Sequence, residues 1–159
     1  MNHPKRVLKV LVPHMQANKI TLSIPASYEY ARTVRMMASN LAVVCKMNMD
    51  DVEDIRMAAE EGFVYCCATK PSSCELVFSV SAHSFAMDFA LGDEDFSSKQ
   101  EEDSCGVDSD MSFVELTLQA VCDEFDVTNA RVLHLAKHFN EVAAAEGSSS
   151  SADTLAQAK

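Results

Sequence analysis

Hydrophobic and polar residues alternate along several short segments of the chain, and this pattern predicts β-strands with one buried face. The segments are 19–24 (KITLSI), 75–81 (ELVFSVS) and 85–91 (FAMDFAL). The second and third flank the short connection 82–84, which predicts a β-hairpin. A final strand is predicted for 130–139 (ARVLHLAKHF), near the end of the chain.

Longer segments place apolar residues three or four positions apart, which predicts amphipathic helices. The first runs from Ser27 to about Met47. The second begins at Asn48, which is a good N-cap, and continues to about Cys67. Acidic residues in its first turn favour this start because they lie at the positive end of the helix dipole. A third apolar stripe extends from Met111 to Phe125.

The order of these elements is strand, helix, helix, hairpin, long loop, helix and strand. It predicts an α/β two-layer sandwich in which a mostly antiparallel sheet is covered on one face by three helices. We expect one domain over 15–142, preceded by an N-terminal segment, 1–14. Residues 143–159 include four consecutive serines and few apolar residues, so a disordered tail is predicted there.

The composition is that of a globular protein that remains in water. Of the 159 residues, 48% are apolar and 23% are charged. No apolar run approaches the roughly 18 to 20 residues that a membrane-spanning helix needs. The N-terminal apolar patch is too short and too often interrupted for a secretory signal. These features predict a cytoplasmic protein that does not bind membranes.

The formal net charge of −11 argues against binding to nucleic acid or to anionic membranes. Much of the excess lies in 92–110, which has eight acidic residues against the single Lys99. This segment lacks the residue spacing of a calcium-binding loop, so we expect a solvated, mobile loop.

No metal site is predicted from the cysteines or histidines. The six cysteines form no C-x-x-C pair, and most lie in predicted core elements, which favours buried, reduced thiols. His134 and His138 are four positions apart in a predicted strand, where their spacing of roughly 13 Å is too long for one metal ion.

Three spaced segments carry a resemblance to a known family. They are 24–42 (IPASYEYARTVRMMASNLA), 49–63 (MDDVEDIRMAAEEGF) and the helix-to-strand ending in 121–139, with Arg35 lying 26 positions before Glu61. Together they resemble the anti-sigma-factor serine-kinase family of bacteria, within the histidine-kinase-like ATPase superfamily. The resemblance covers most of the chain and implies the histidine-kinase-like ATPase fold.

The resemblance also implies functional residues. Members of the family bind ATP and Mg²⁺, sequester a sigma factor and phosphorylate a serine of an antagonist protein. By this resemblance Glu61 is the catalytic general base, and Arg35 lies on the partner-binding surface. Without the resemblance, Glu61 and its neighbour Glu60 fit a solvated helix face, and Arg35 fits an ordinary surface residue.

The chain departs from the family where nucleotide and metal bind. The Mg²⁺-holding Asn falls at Tyr65, and a phenol is a poor ligand for this hard cation. The key positions of the D-x-G-x-G box fall at Leu91, Asp93 and Asp95, so its adenine-reading carboxylate and both glycines are lost. The phosphate-facing glycines would lie near 112–114, but the whole chain has only four glycines.

An acidic lid would also repel a polyphosphate, because like charges about 4 Å apart cost about 4 kcal/mol at an effective dielectric of about 20. We therefore expect no nucleotide cofactor; ATP and Mg²⁺ are expected only if the family activity is retained.

Two functions from different classes follow. The first is an anti-sigma-like regulatory protein, a pseudoenzyme that binds a sigma factor or an anti-anti-sigma protein. The alternative is an active ATP-binding serine/threonine kinase with Glu61 as its base. A weaker third possibility is an ATP-binding regulator unrelated to transcription. Because family members commonly dimerise, the resemblance also allows a homodimer.

Overall fold

The computed structural model describes residues 18–94, 111–129 and 131–140. This part of the chain is an α/β fold with a five-stranded antiparallel sheet and three helices. In chain order the elements are β1 (Asn18–Pro25), a 3-10 turn (Tyr28–Tyr30), α1 (Ala31–Val44), α2 (Met49–Ala68), β2 (Ser73–Val80), β3 (Ser84–Ala90), α3 (Met111–Val121), β4 (Glu124–Thr128) and β5 (Val132–His138).

The strands are arranged in the order β1-β2-β3-β5-β4, and every neighbouring pair is antiparallel. The alternation seen in the sequence places one set of side chains on the inner face of the sheet. The central strands supply its largest fully buried side chains, which are Leu76, Phe78, Phe85, Met87, Phe89, Leu133 and Leu135. The opposite, outer face carries mostly polar residues and alanines, together with Val77 and Val132.

Helix α2 lies at the centre of the helical layer, where it contacts β2, β3 and β5 and is flanked by α1 and α3. Its start at Asn48 confirms the predicted N-cap, because the Asn48 side chain accepts a 2.8 Å hydrogen bond from the backbone N–H of Asp51. Ile55 and Phe63, both on the inner side of α2, are fully buried.

A half-buried ion pair connects α2 to β5. Lys137 occupies an inner-face position, and its Nζ lies 2.7 Å from Asp54 Oδ2 and 3.9 Å from Asp51 Oδ1. It also donates to the carbonyl oxygen of Val121 at 3.3 Å. Burial by itself lowers the pKa of Lys137, but the hydrogen bond to Asp54 and the charge of its carboxylate outweigh burial and raise it. The lysine therefore stays charged, and its contacts connect the start of α2 and the end of α3 to β5.

The hairpin and α2 are confirmed, whereas two predicted helix bounds are wrong. The first helix does not run from Ser27 to Met47, because a 3-10 turn precedes α1 and α1 ends at Val44. The third helix ends at Val121, and Phe125 lies in β4, a strand the sequence analysis missed. The prediction was wrong because Val121 and Phe125 are four positions apart, which is also the spacing of a helix. In the structure, residues 124–128 alternate as a strand, and Phe125 and Val127 lie opposite the inward-facing Leu135 and Leu133.

Several predictions lie outside the described residues: the N-terminal segment 1–14, the tail 143–159 and most of the acidic loop, 95–110. Among the helices that the structure does describe, none is long and apolar enough to cross a membrane.

Gly62 provides a test of how closely α2 approaches the sheet. A Cβ atom at this position would lie 2.7 Å from Phe89 Cε2 and 2.9 Å from Leu135 Cδ1. Overpacking of this kind costs about 1–3 kcal/mol, against a helix-propensity gain of about 1 kcal/mol for alanine. We expect Gly62→Ala to lower the free energy of unfolding, measured by urea denaturation, by up to about 2 kcal/mol. Gly62→Ser should lower it further, and unchanged stability for both would contradict the close contact.

Candidate functional site

The predicted site residues of α2 lie on one side of its C-terminal half. Glu61 and Tyr65 are four positions apart and therefore neighbours on the helix surface. Tyr65 is buried, with 7% of its surface exposed, whereas Glu61 is half-buried. The tyrosine thus fills space at the position where the resemblance places a metal ligand.

A small cavity of about 260 Å³ lies beside Tyr65, between the end of α2, the end of β3 and the turn that joins β4 to β5. The hydroxyl oxygen of Thr128 in its wall is buried and has no hydrogen-bond partner among the described residues. The cavity is smaller than the roughly 300–1,000 Å³ typical of ligand pockets. The lining residues are Tyr65, Thr69, Leu91, Gly92, Glu94, Val127, Thr128, Asn129 and Arg131.

A set of short hydrogen bonds closes one wall of this cavity. The buried Thr69 hydroxyl accepts from the backbone N–H of Gly92 at 2.7 Å and donates to the carbonyl oxygen of Cys66 at 2.6 Å. A Cβ atom on Gly92 would lie 2.2 Å from the carbonyl oxygen of Thr69, so only glycine permits this approach. The chain leaving β3 is therefore fixed against the end of α2.

Two residues that line the cavity, Arg131 and Glu94, pair with charged neighbours that do not line it. Arg131 Nη1 donates to the carbonyl oxygen of Gly92 at 2.7 Å, and Arg131 Nε lies 3.8 Å from Asp93 Oδ1. Lys70 Nζ lies 3.1 Å from Glu94 Oε2. Arg131 adopts a φ of 55°, an uncommon left-handed conformation for a residue with a side chain. The positive charges that a phosphate would need thus have carboxylates beside them.

Glu61 lies in an environment that favours its neutral form. Burial raises the pKa of its carboxyl above the ordinary value, and the neighbouring charge of Glu60 raises it further. A raised pKa suits a general base, but it is also expected for any half-buried carboxyl next to a second one. Glu61 does not line the cavity.

Arg35 lies on the helical layer and pairs with α2. Its Nη1 lies 2.9 Å from Glu60 Oε2, with the two side chains 29% and 37% exposed. The Nε atom of Arg35 is buried and has no hydrogen-bond partner in the described part of the chain. Exposed apolar side chains of α1, Met36 and Val43, lie on the outer surface of the same helix.

The structure brings together only part of the predicted site. Tyr65 and Leu91 line the same cavity, whereas Glu61, Asp93 and Arg35 do not. Asp95 lies outside the described residues. The predicted glycine-loop positions, 112–114, lie in the first turn of α3.

The sequence analysis missed the residues that shape the cavity wall, chiefly Thr69, Gly92, Thr128 and Arg131. Gly92 directly follows an alternating strand segment, and a glycine there is a recognisable signal for close backbone approach. The other three offered no signal, because their roles arise from contacts between elements far apart in sequence.

A row of histidines and carboxylates lies on the outer face of the sheet. His134 Nδ1 lies 2.5 Å from Asp88 Oδ1, and His138 Nε2 lies 2.9 Å from Glu124 Oε1. Glu124 also approaches His134, with its Oε2 3.6 Å from Nε2. No group of three or more His, Cys, Asp or Glu side chains within the described ranges is arranged to hold a metal ion.

The described cysteines are all free thiols, and three of them, Cys66, Cys67 and Cys74, are buried. Cys66 Sγ donates to the carbonyl oxygen of Ala90 at 3.2 Å.

A hydrogen bond to Cys74, together with burial, raises the pKa of Cys66. Burial raises the pKa of Cys67 to about 12. Cys122 is half-buried, and burial raises its pKa to about 12 as well. The prediction of buried thiols is confirmed for Cys66, Cys67 and Cys74. Cys105 lies outside the described residues.

Comparison with known proteins adds no relative: no protein-family model matches the chain, and no curated protein matches it significantly.

Thr69 provides a test of the cavity wall. Thr69→Val keeps the shape of the side chain but leaves the N–H of Gly92 without its acceptor. Losing the partner of a buried group costs about 1–3 kcal/mol, so we expect the free energy of unfolding to fall by that amount. Thr117→Val is the matched control, because the exposed Thr117 hydroxyl only donates back to Phe113 within α3. Equal effects of the two substitutions would contradict the assigned role.

Glu61 provides a test of electrostatics through the pH dependence of stability. The pKa of Glu61 is higher in the folded protein than in the unfolded chain. Well below the ordinary value of 4.5 the carboxyl is neutral in both states, so its burial does not change the free energy of unfolding. As pH rises above 4.5 and through the folded-state pKa, burial of the charged form lowers that free energy. We expect Glu61→Gln to be more stable than wild type at neutral pH and to lose this advantage in acid, as measured by urea denaturation across pH. Glu60→Gln should instead lose the Arg35 pair. A Glu61→Gln advantage that does not change with pH would overturn this assignment.

Proposed function

We propose that this protein is a regulatory protein of the anti-sigma-factor serine-kinase family that acts by binding another protein. The partner is a sigma factor or an anti-anti-sigma protein, and binding takes place in the cytoplasm. In this proposal the fold is the histidine-kinase-like ATPase fold, but the nucleotide site is degenerate. One observation carries it: where the resemblance places nucleotide and metal there is only a small cavity of about 260 Å³, whose walls include Tyr65 and Leu91.

The order of elements supports the proposed fold family. Within the described residues, two helices follow the first strand, a hairpin and a long segment come next, and a helix and two strands come last. The segment 95–110 falls between β3 and α3, which is where the resemblance expects a lid.

The geometry of the cavity supports the loss of nucleotide binding. A volume of about 260 Å³ is small for a nucleoside triphosphate. The buried phenol ring of Tyr65 offers no amide oxygen to Mg²⁺, and the aliphatic Leu91 offers no carboxylate to adenine. The exposed side chain of Asp93, next to the cavity-lining Arg131, has the same sign of charge as a phosphate chain.

The outer surface of α1 supports a protein partner. Met36 and Val43 are 50% and 59% exposed, seven positions apart on one helix face, and Arg35 is next to Met36 in the chain. Exposed apolar side chains near an arginine are typical of the centres of protein interfaces. Binding at such a surface is driven by burial of apolar area and needs no chemical step.

One observation favours the alternative, an active ATP-binding serine/threonine kinase. The raised pKa of Glu61 is the property that a general base needs, and the side chain lies on the face of α2 that carries Tyr65. This alternative requires ATP and Mg²⁺ as cofactors. A nucleotide-dependent regulator of some other process would require ATP as well.

Nucleotide titration separates the proposal from the alternatives. We expect the melting temperature of the protein to be unchanged by millimolar ATP or ADP with Mg²⁺, because a ligand raises it only by binding the folded state. Calorimetric titration should likewise show no heat of binding. A clear rise in melting temperature with either nucleotide would contradict the degenerate site and favour the kinase.

Charge reversal on the helical layer tests the protein partner. We expect Arg35→Glu to weaken binding to the cognate sigma factor or anti-anti-sigma protein by at least about tenfold, because an arginine at an interface centre is worth more than 1 kcal/mol. Arg56→Glu is the matched control, because Arg56 is also a half-exposed arginine paired with a glutamate, Glu53, on α2. Binding is measured by calorimetry with purified candidates. Equal effects of the two changes, or no binding to any candidate, would overturn the proposal.

A further inference from the structure

The three helices that cover the sheet differ in charge. Helix α1 carries two arginines, Arg32 and Arg35, and no acidic residue. Helix α2 carries six acidic residues against the single Arg56, and α3 carries Glu115 and no basic residue. The helical layer is therefore basic at α1 and acidic at α2 and α3.

Large apolar side chains are exposed on the two acidic helices. Phe113 and Leu116 are three positions apart on one side of α3, and they are 66% and 64% exposed. Ala120, also exposed, continues the same side of the helix, and Met57 is exposed on α2. Apolar area of this kind is stabilised when a partner removes it from water.

The exposed apolar residues of the two helices lie in one region of the surface. Lys137 contacts both Asp54, near the start of α2, and the carbonyl oxygen of Val121, at the end of α3. The helices also pack against each other, so they run antiparallel. With a rise of about 1.5 Å per residue, Met57 lies about level with the middle of α3, and Glu61 lies about level with its first turns.

Two carboxylates beside these apolar side chains lack a basic partner. Glu61, one turn after Met57, and Glu115, next to Leu116, form no ion pair within the part of the chain that the structure describes. Burial and the charge of Glu60 raise the pKa of Glu61. A positive charge supplied by another molecule would stabilise its ionised form.

We propose that the surface formed by Met57, Glu61, Phe113, Glu115 and Leu116, here called the α2–α3 surface, binds a basic amphipathic helix of another protein. The apolar side of that helix covers the exposed apolar side chains, and its lysines or arginines pair with the carboxylates around them. Docking of an amphipathic helix through its apolar face is a recurring mode of recognition between proteins.

Charge favours this occupant over others. Residues 95–110, which lead into α3, contain six acidic residues against Lys99, and residues 141–159 contain three against Lys159, so both segments would be repelled. Nucleic acid and anionic membranes have the same sign of charge as the surface. Residues 1–17 are basic, but they lead into β1, at the opposite edge of the sheet from β4 and α3.

This inference does not depend on the proposed function. Partner binding was assigned there to α1, with Arg35, Met36 and Val43, whereas the present surface lies on α2 and α3. The two can therefore fail separately, and their experiments use different ligands: a sigma factor or its antagonist above, and a synthetic peptide here.

Calorimetric titration of the full chain with a synthetic peptide tests the surface. The peptide is about 18 residues long, which is enough to form a helix, and has leucine at every third or fourth position with lysine and alanine elsewhere. We expect this peptide to bind. A peptide of the same pattern with glutamate in place of lysine should not bind, because the surface would repel it.

Matched substitutions locate the binding. We expect Phe113→Gln to raise the peptide dissociation constant at least about fivefold, because aromatic side chains are favoured at interface centres. Tyr28→Gln is the control, because Tyr28 is also an exposed aromatic residue but precedes α1. Glu115→Lys should raise the constant at least about tenfold. Glu75→Lys makes the same charge change on the outer face of the sheet and should have a much smaller effect. Thermal melting confirms that the variants fold.

Three results would overturn the proposal. The first is no binding of the basic peptide to the full chain, which includes the case in which residues 1–17 already cover the surface. The second is equal effects within either matched pair, which would show that the peptide responds to net charge or binds elsewhere. The third is equal binding of the acidic peptide, which would show that charge does not select the partner.

Discussion

The close contact between α2 and the sheet at Gly62 is the constraint on which the rest of the structure depends. Because this position has no side chain, the helix lies directly on Phe89 and Leu135, and its neighbour Phe63 is fully buried. Once α2 is fixed there, α1 and α3 pack on its two sides. The same contact sets the position of Tyr65, one turn later, and with it the size of the cavity at the end of the helix.

Much of the fold could be predicted from the sequence, because periodicity reports which face of an element is buried. The hairpin and the N-cap at Asn48 followed from local patterns that no distant contact overrides. Strand β4 was missed because Val121 and Phe125 satisfy a helical spacing while the real boundary depends on pairing with β5. Local propensity could not decide between a longer helix and an edge strand.

The candidate site was less accessible to prediction. Tyr65 and Leu91 were singled out only through a family resemblance, and the structure shows that they do line one cavity. The bonds that close its wall join Thr69 to Gly92, 23 positions apart, and no local pattern reports such a contact. Arg35 illustrates the same limit, since its ion pair with Glu60 connects two helices whose relative position only tertiary packing determines.

The buried cysteines have a consequence for how the protein withstands oxidants. Peroxides and electrophiles react with thiolates far faster than with thiols, and a thiol whose pKa lies well above neutrality is almost entirely protonated. Cys66 and Cys67 are buried in this protonated form at the end of α2, and Cys122 shares the raised pKa. The sulfur atoms here serve as small apolar packing groups, and their burial and protonation predict slow reaction with oxidants in the folded protein.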